Sequence, residues 1–311
     1  DANGEREIVF GSAFETAGHH TVTVPALSVA AATEANIKNV SVASDLVDGA
    51  VYTCVLSYQD EAGNAAQSVT HSNIMVDLTS PSLTFVSMAS SNNVTTLAKV
   101  GDTITVSIVA HGPIVRPTVE VCGHEAEVDG SDANWTATYT VGSDVDGVCE
   151  LSIAFGDEAG HAGHTVTHTT DGTVVTIDTS TQVPTLSLPV ANGYMIAGNS
   201  SFMVSFTLPE AASPGTVQLS LVQERGDSDG NSSHVITFAS GFETQGTHSM
   251  MMPQLTSAAM SSHIDSVSPG DLVDGALYTA TLSYQDQALN SASNGAQSGI
   301  KTDLTVPTLI F

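Results

Sequence analysis

Along most of this chain apolar and polar residues alternate with a period of two, in short runs broken by Gly, Pro, Asn and Asp. Between Val100 and Ala110 the alternation is clean. Ile104, Val106 and Ile108 face one way, and Thr103, Thr105 and Ser107 the other. That is the signature of a half-buried β-strand. Similar runs occur at Thr185–Val190, Ser201–Leu208, Thr216–Gln223, His234–Phe238, Thr247–Met252, Leu277–Gln285 and Ala296–Asp303. Seven such strands after Pro184 predict one complete two-sheet sandwich. An earlier set reads Ser82–Met88, Asp102–Ala110, Thr118–Cys122, Asn134–Val141, Val148–Phe155 and Thr173–Asp178, with one further strand unplaced. Only Ser257–His263 leans towards helix. It lacks a cap and reads as a long loop.

The pattern also repeats. Asp45-Leu46-Val47-Asp48-Gly49-Ala50 returns as Asp271-Leu272-Val273-Asp274-Gly275-Ala276. Tyr52 to Asp60 returns as Tyr278 to Asp286, and Asp77-Leu78-Thr79-Ser80-Pro81 as Asp303-Leu304-Thr305-Val306-Pro307. Between the copies lies a shorter relative, in which Asp157-Glu158-Ala159-Gly160 matches Asp60-Glu61-Ala62-Gly63. A period on this scale means an array of modules. The expected division is an incomplete module at 1–79 (strands four to seven), a shorter module at 80–180, a complete module at 181–304, and the first strand of another at 305–311. Residues 1–79 alone would expose a core face and an open sheet edge. Upstream residues or a neighbouring chain are expected to cover them.

The sixth strand of each long copy carries Asp-Gly and then Tyr, at Tyr52 and Tyr278, with Cys54 two residues after the first. In immunoglobulin folds a Tyr here bonds back to the preceding turn. Tyr52 and Tyr278 are thus expected to bond backbone near Asp48 and Asp274, with Leu56, Tyr58, Leu282 and Tyr284 on the core face or its edge. With Asp60-Glu61-Ala62-Gly63-Asn64 and Asp77-Leu78-Thr79-Ser80-Pro81, the chain resembles the tandem immunoglobulin-like repeats of giant extracellular surface and adhesin-type proteins of bacteria and algae. The resemblance implies an all-β fold, with tandem immunoglobulin-like sandwiches in a rod. The chain departs from the pattern at Leu289, where Gly is usual, and at Ala280, in place of Cys.

Charge narrows the partners. Among 311 residues, 6 are Lys or Arg and 33 are Asp or Glu, a net charge of −27. No basic stripe exists to neutralise phosphates, which argues against nucleic acid and anionic membranes. Cations are the natural partners of such a surface. No apolar run is long enough to span a membrane. Charged residues are only 13% of the chain, so Ser, Thr and Asn must form most of the polar surface.

Candidate chemistry gathers at the expected module junctions. Linker Asp77 should approach Asp157 and Glu158, and linker Asp178 should approach Asp286. Clustered hard oxygens suit Ca2+, and the resemblance implies that such sites stiffen the array. Turn chemistry alone, with each Asp capping its own backbone, accounts for the same residues. Cys122 and Cys149 should lie on neighbouring strands, as a disulfide or as two buried thiols. Asn39, Asn93, Asn134, Asn199 and Asn231 head Asn-X-Ser/Thr glycosylation sequons. His161, His164 and His168 suggest a metal cluster. On a strand, however, His164 and His168 would stand about 13 Å apart, so exposed polar positions are the plainer reading. Trp135 reads as core rather than a sugar platform. Phe14-Glu15-Thr16, recurring as Phe242-Glu243-Thr244, reads as a structural corner.

No nucleophile elbow, phosphate loop or zinc-protease motif is present, so no enzyme is expected. The expected role is a structural segment of an extracellular filament, stalk or surface layer. It would assemble with copies of itself or neighbouring repeats. The alternative is an adhesive module that binds a glycan or a cell-surface receptor.

Overall fold

The computed structural model describes residues 5–24, 37–40, 45–196, 201–225, 229–253, 255, 262–268 and 270–303. Asn199, the boundary at Pro307 and the strand at 305–311 lie outside them, as does most of 257–263. The described part is all-β, with immunoglobulin-like sandwich modules after Pro81 and two separate strand pairs before it. Its helix is limited to the 3-10 turns Ser12–Phe14 and Ser240–Phe242 and a helical residue at Leu255. No helix among the described residues is long and apolar enough to cross a membrane. Contacts divide the chain into two compact units. One falls within Asp1–Ser82, Pro113–Val115 and Phe155–Gly163, the other within Leu83–Gly112, Arg116–Ala154 and His164–Phe311.

In the second unit, the module after Pro184 is a two-sheet sandwich. Strands Thr185–Leu188, Ser201–Leu208 and Gly246–Pro253 form one sheet. The other runs, in spatial order, Tyr194–Ile196, Gly295–Asp303, Leu277–Ser283, Gln218–Arg225, Ser233–Phe238 and Ile264–Val267. Alternation decides which residues are buried. Phe202, Val204, Phe206 and Leu208 turn inward to meet Leu219, Leu221, Ile236, Phe238 and Leu282 in one core. The rings of Phe206 and Phe238 pack 5.1 Å apart across it. Each such fully buried side chain is worth roughly 1.5–3 kcal/mol. The seven expected strands are all present. The sequence reading missed two more, Tyr194–Ile196 and Ile264–Val267, because each is too short to show alternation.

The middle module packs the sheet Glu127–Ser131, Asn134–Thr140, Thr103–Ala110, Leu83–Ser90 with two smaller ones. One strand was left unplaced, whereas three fall outside the expected runs: Leu97–Ala98, His124–Glu125 and Glu127–Ser131. Ile104, Val106 and Ile108 are buried, as their alternation requires. The run at 148–155 is broken into Gly147–Val148 and Leu151–Ala154. Cys149 lies in the break, joined to Cys122 by a disulfide with Cα atoms 4.5 Å apart.

In the first unit the long copy repeats the pairings of the complete one. Ile8–Phe10 pairs with Ile37–Val40, and Val51–Leu56 with Val69–Met75. Ser233–Phe238 likewise pairs with Ile264–Val267, and Leu277–Ser283 with Gly295–Asp303. The corner recurs too. His20 Nε2 lies 2.7 Å from the Thr16 carbonyl, and His248 Nε2 lies 2.7 Å from that of Thr244. Val47 N–H donates to the Tyr52 hydroxyl at 3.1 Å, and Val273 N–H to the Tyr278 hydroxyl at 3.3 Å. Each anchor is the backbone N–H beside Asp48 or Asp274, as expected.

The copies differ in burial. Leu282 and Tyr284 are 0% and 2% exposed, but Leu56 and Tyr58 are 56% and 68% exposed. In the first copy the same face is uncovered, the exposed core face expected of residues 1–79. The sheet that buries Leu282 holds Ser201–Leu208, which has no counterpart in 1–79. Residues 21–24, matching the strand that pairs with Ser201–Leu208, accordingly form no strand. Cys54, on the same face as Tyr52, is exposed and free.

Candidate functional site

The loop after the sixth strand has the same backbone in all three modules. Asp60 accepts from the Asn64 backbone N–H at 2.8 Å and from its side-chain amide at 2.8 Å. Asp286 does the same with Asn290, at 2.9 and 3.0 Å. Asp157 accepts from the His161 backbone N–H at 2.8 Å, and His161 Nδ1 lies 3.2 Å from its other oxygen. The residue before the last turns left-handed, with φ of 86° at Gly63, 96° at Gly160 and 68° at Leu289. Asp capping its own turn is thus realised each time. Leu289 holds a conformation that L-residues with a Cβ adopt at a cost of about 1–2 kcal/mol.

The linkers add carboxylates. In the first unit, one carboxylate oxygen each of Asp77 and Asp157 and one ring nitrogen of His161 lie within 4.8 Å of one another. Asp77 accepts from the backbone N–H and hydroxyl of Thr79, at 3.1 and 3.3 Å. Glu158, expected in this set, is exposed and outside it, and His161 stands in its place. A turn residue's side chain points where the backbone aims it. Position five of the turn aims back at Asp157, while position two aims at solvent. His164 and His168 are exposed, as expected, and not on a strand. Burial pushes the Asp157 carboxyl up, but the His161 backbone N–H and ring outweigh it. The group is held below the ordinary carboxylate range.

The second junction is closed by protein groups instead. Asn290 donates its amide to the Asp178 carbonyl at 2.8 Å and to the carboxylates of Asp178 and Asp286 at 3.4 and 3.0 Å. Asp286 is 1% exposed. Thr179 donates its backbone N–H and hydroxyl to Asp146, both at 2.7 Å. Tyr284 donates to the Gln182 carbonyl at 2.8 Å and to Glu210 at 3.0 Å. From the middle module, Asn92 donates to the Ala288 carbonyl at 2.9 Å and Lys99 to that of Leu289 at 3.2 Å. Burial, then the charge of Asp286, pushes the Asp178 carboxyl above its ordinary range. Burial, with Glu210 nearby, does the same to Asp286. Burial raises the Tyr284 hydroxyl to about 12. Asp178 and Asp286 belong to no ion-sized group of three ligands among the described residues.

The remaining candidates are dispersed. Asn39, Asn93, Asn134 and Asn231 are exposed, and Trp135 is half-buried with its ring N–H donating to the Asp132 carbonyl. Beside the disulfide, the rings of His124 and Tyr139 stack 5.0 Å apart. His124 Nε2 lies 2.9 Å from Asp144, and the Tyr139 hydroxyl donates to the same carboxylate at 2.8 Å. The sequence reading missed Asp146, Glu210, Asn92 and Lys99, and named His161 only in a string with His164 and His168. Two had a visible signal. His161 fills the Asn position of the repeated turn, and Asp146-Gly147 echoes Asp48-Gly49 and Asp274-Gly275.

No protein-family model and no curated protein matches the chain. Solved structures similar to it include the fibronectin(III)-like modules of Clostridium thermocellum CbhA, at 14% identity over 72% of this chain and 99% of that one, TM-score 0.32. A 1.5-MDa bacterial ice-binding adhesin is similar at 17% identity over 84% and 76%, TM-score 0.37. A Ca2+-stabilized adhesin of an Antarctic bacterium is similar at 17% identity over 87% and 61%, TM-score 0.34.

Proposed function

We propose that this chain is a structural segment of an extracellular or cell-surface array, in which β-sandwich modules set length and spacing. The observation that carries this reading is the repeat in three dimensions. Strand pairings, tyrosine corner, 3-10 corner and Asp-capped turn all recur. The role is mechanical rather than catalytic. The disulfide suits an oxidising compartment. The surplus of carboxylates keeps the array soluble and responsive to cations.

The junctions serve this role in two ways. At Asp178 and Asp286 the protein's own amides and hydroxyls do the fastening. At Asp77 and Asp157 a divalent cation, for which Ca2+ is the reference, draws linker and loop together. Side-by-side assembly with further copies belongs to the same proposal.

Single-molecule stretching tests the mechanical reading. The module after Pro184 should release about 40 nm of contour in one cooperative step, given about 3.5 Å per extended residue. Gradual extension without a discrete step would refute a load-bearing role.

A further inference from the structure

We propose that Asp77, Asp157 and His161 form a site for a borderline transition metal such as Zn2+, selected over Ca2+. This rests on the reading above that a cation joins linker and loop there. The two other copies of this turn carry Asn64 and Asn290, whose amides donate to the turn's own Asp. His161 replaces that donor with a ring whose nitrogen can give a lone pair. The ring is turned into the set: Nδ1 faces Asp157, and the side chain is 33% exposed against 8% for Asp157.

Ca2+ needs six to eight oxygens, and its preference is for oxygen alone. Here the side chains supply two carboxylates and one imidazole. Imidazole suits Zn2+, Ni2+ and Cu2+, and three protein ligands leave an open fourth position for water. Ligands of a tetrahedral ion at 2.0–2.1 Å stand about 3.3 Å apart by geometry. The 3.2 Å between His161 Nδ1 and Asp157 matches that edge. The support around the set is also built. Thr79 holds Asp77, the His161 backbone N–H holds Asp157, and Asp48 accepts the Leu78 N–H at 2.7 Å, fixing the linker. Such outer contacts orient metal ligands.

The test uses the whole chain with Co2+ as the spectroscopic probe, Zn2+ and Ca2+ as competitors, and His161→Asn as the variant. That substitution installs the residue the other copies use, so the turn should fold. Wild type should bind one Co2+ with visible bands of imidazole ligation. Zn2+ should displace it, and an excess of Ca2+ should not. His161→Asn should lose Co2+ affinity by about a hundredfold or more, on the scale of losing a metal-site contact. Co2+ binding unchanged in His161→Asn would place the ion on another of the chain's 11 histidines and overturn the inference. Ready displacement by Ca2+ would overturn the selectivity and leave the cation reading intact. Failure of wild type to bind Co2+, Zn2+ or Ca2+ would sink both.

Discussion

Asp157 and Asp286 occupy the same position of the same turn, yet their surroundings set them apart. Asp157 meets an imidazole and a linker carboxylate, and its carboxyl is held below the ordinary range. Asp286 is sealed behind Asn290 and lies near Glu210 and Asp178, and its carboxyl is pushed above that range. A repeated backbone motif therefore fixes where a carboxylate sits, not what it does. One residue at the end of the turn differs, and with it the side chain that meets the carboxylate: the His161 imidazole in one loop, the Asn290 amide in the other.

Removing the two aspartates should show the difference most strongly. Asp286→Ala leaves the buried Asn290 backbone N–H without its side-chain acceptor and the Asn290 amide with Asp178 alone, and should cost about 2 kcal/mol in chemical denaturation. Asp157→Ala, at a more open site, should cost less. Equal losses would break the comparison. Next in size is Asn290→Ala, which frees the Asp178 carbonyl and both carboxylates and should cost about 1–1.5 kcal/mol. Asn290→His should make the second loop sensitive to Zn2+, if the last residue of the turn is what matters.

The glycine position gives a smaller, two-way test. Gly160→Ala adds a Cβ into open space at φ 96°, so only backbone strain is felt, about 1 kcal/mol. Leu289→Gly relieves a similar strain, offset in part by loss of a half-buried side chain. It should therefore be near neutral or mildly stabilising in a thermal melt.

The smallest effect is the response to pH, and its sign differs between the loops. Asp157 has a lowered folded value, so its contribution is present above the unfolded value near 3.9 and is lost as pH falls through the folded value. Asp178 and Asp286 have raised folded values. Their penalty is present at neutral pH and lifts as pH falls from the folded values towards about 3.9. On acidification, amide exchange should show the Asn290 N–H responding at a higher pH than the His161 N–H, because Asp286 takes up its proton before Asp157 does. The reverse order would contradict the assignment.

The strands were legible in the sequence because alternation is a local property. Ile104, Val106 and Ile108 point inward for the same reason their spacing suggested. The exposure of Leu56 and Tyr58 was not legible in their own strand, since burial depends on whether a second sheet is present to face it. Asp77 and Asp157 were found because they repeat. His161 was passed over because it was read with His164 and His168 as a string, whereas the fold separates them. Lys99 and Asn92 could not be read at all. Each acts on a carbonyl nearly 200 residues away, and no local pattern marks such a pair.

Asn92, Lys99 and Asn290 supply the bonds that fasten the middle module to the one after it, and this fastening is proposed to need no cation. Residual dipolar couplings on the full chain, recorded with and without chelator, test it most directly. Amides of Thr103–Ala110 and of Leu277–Ser283 should fit one alignment tensor in both conditions. Separate tensors for the two strands, or a shared tensor lost on chelation, would contradict it.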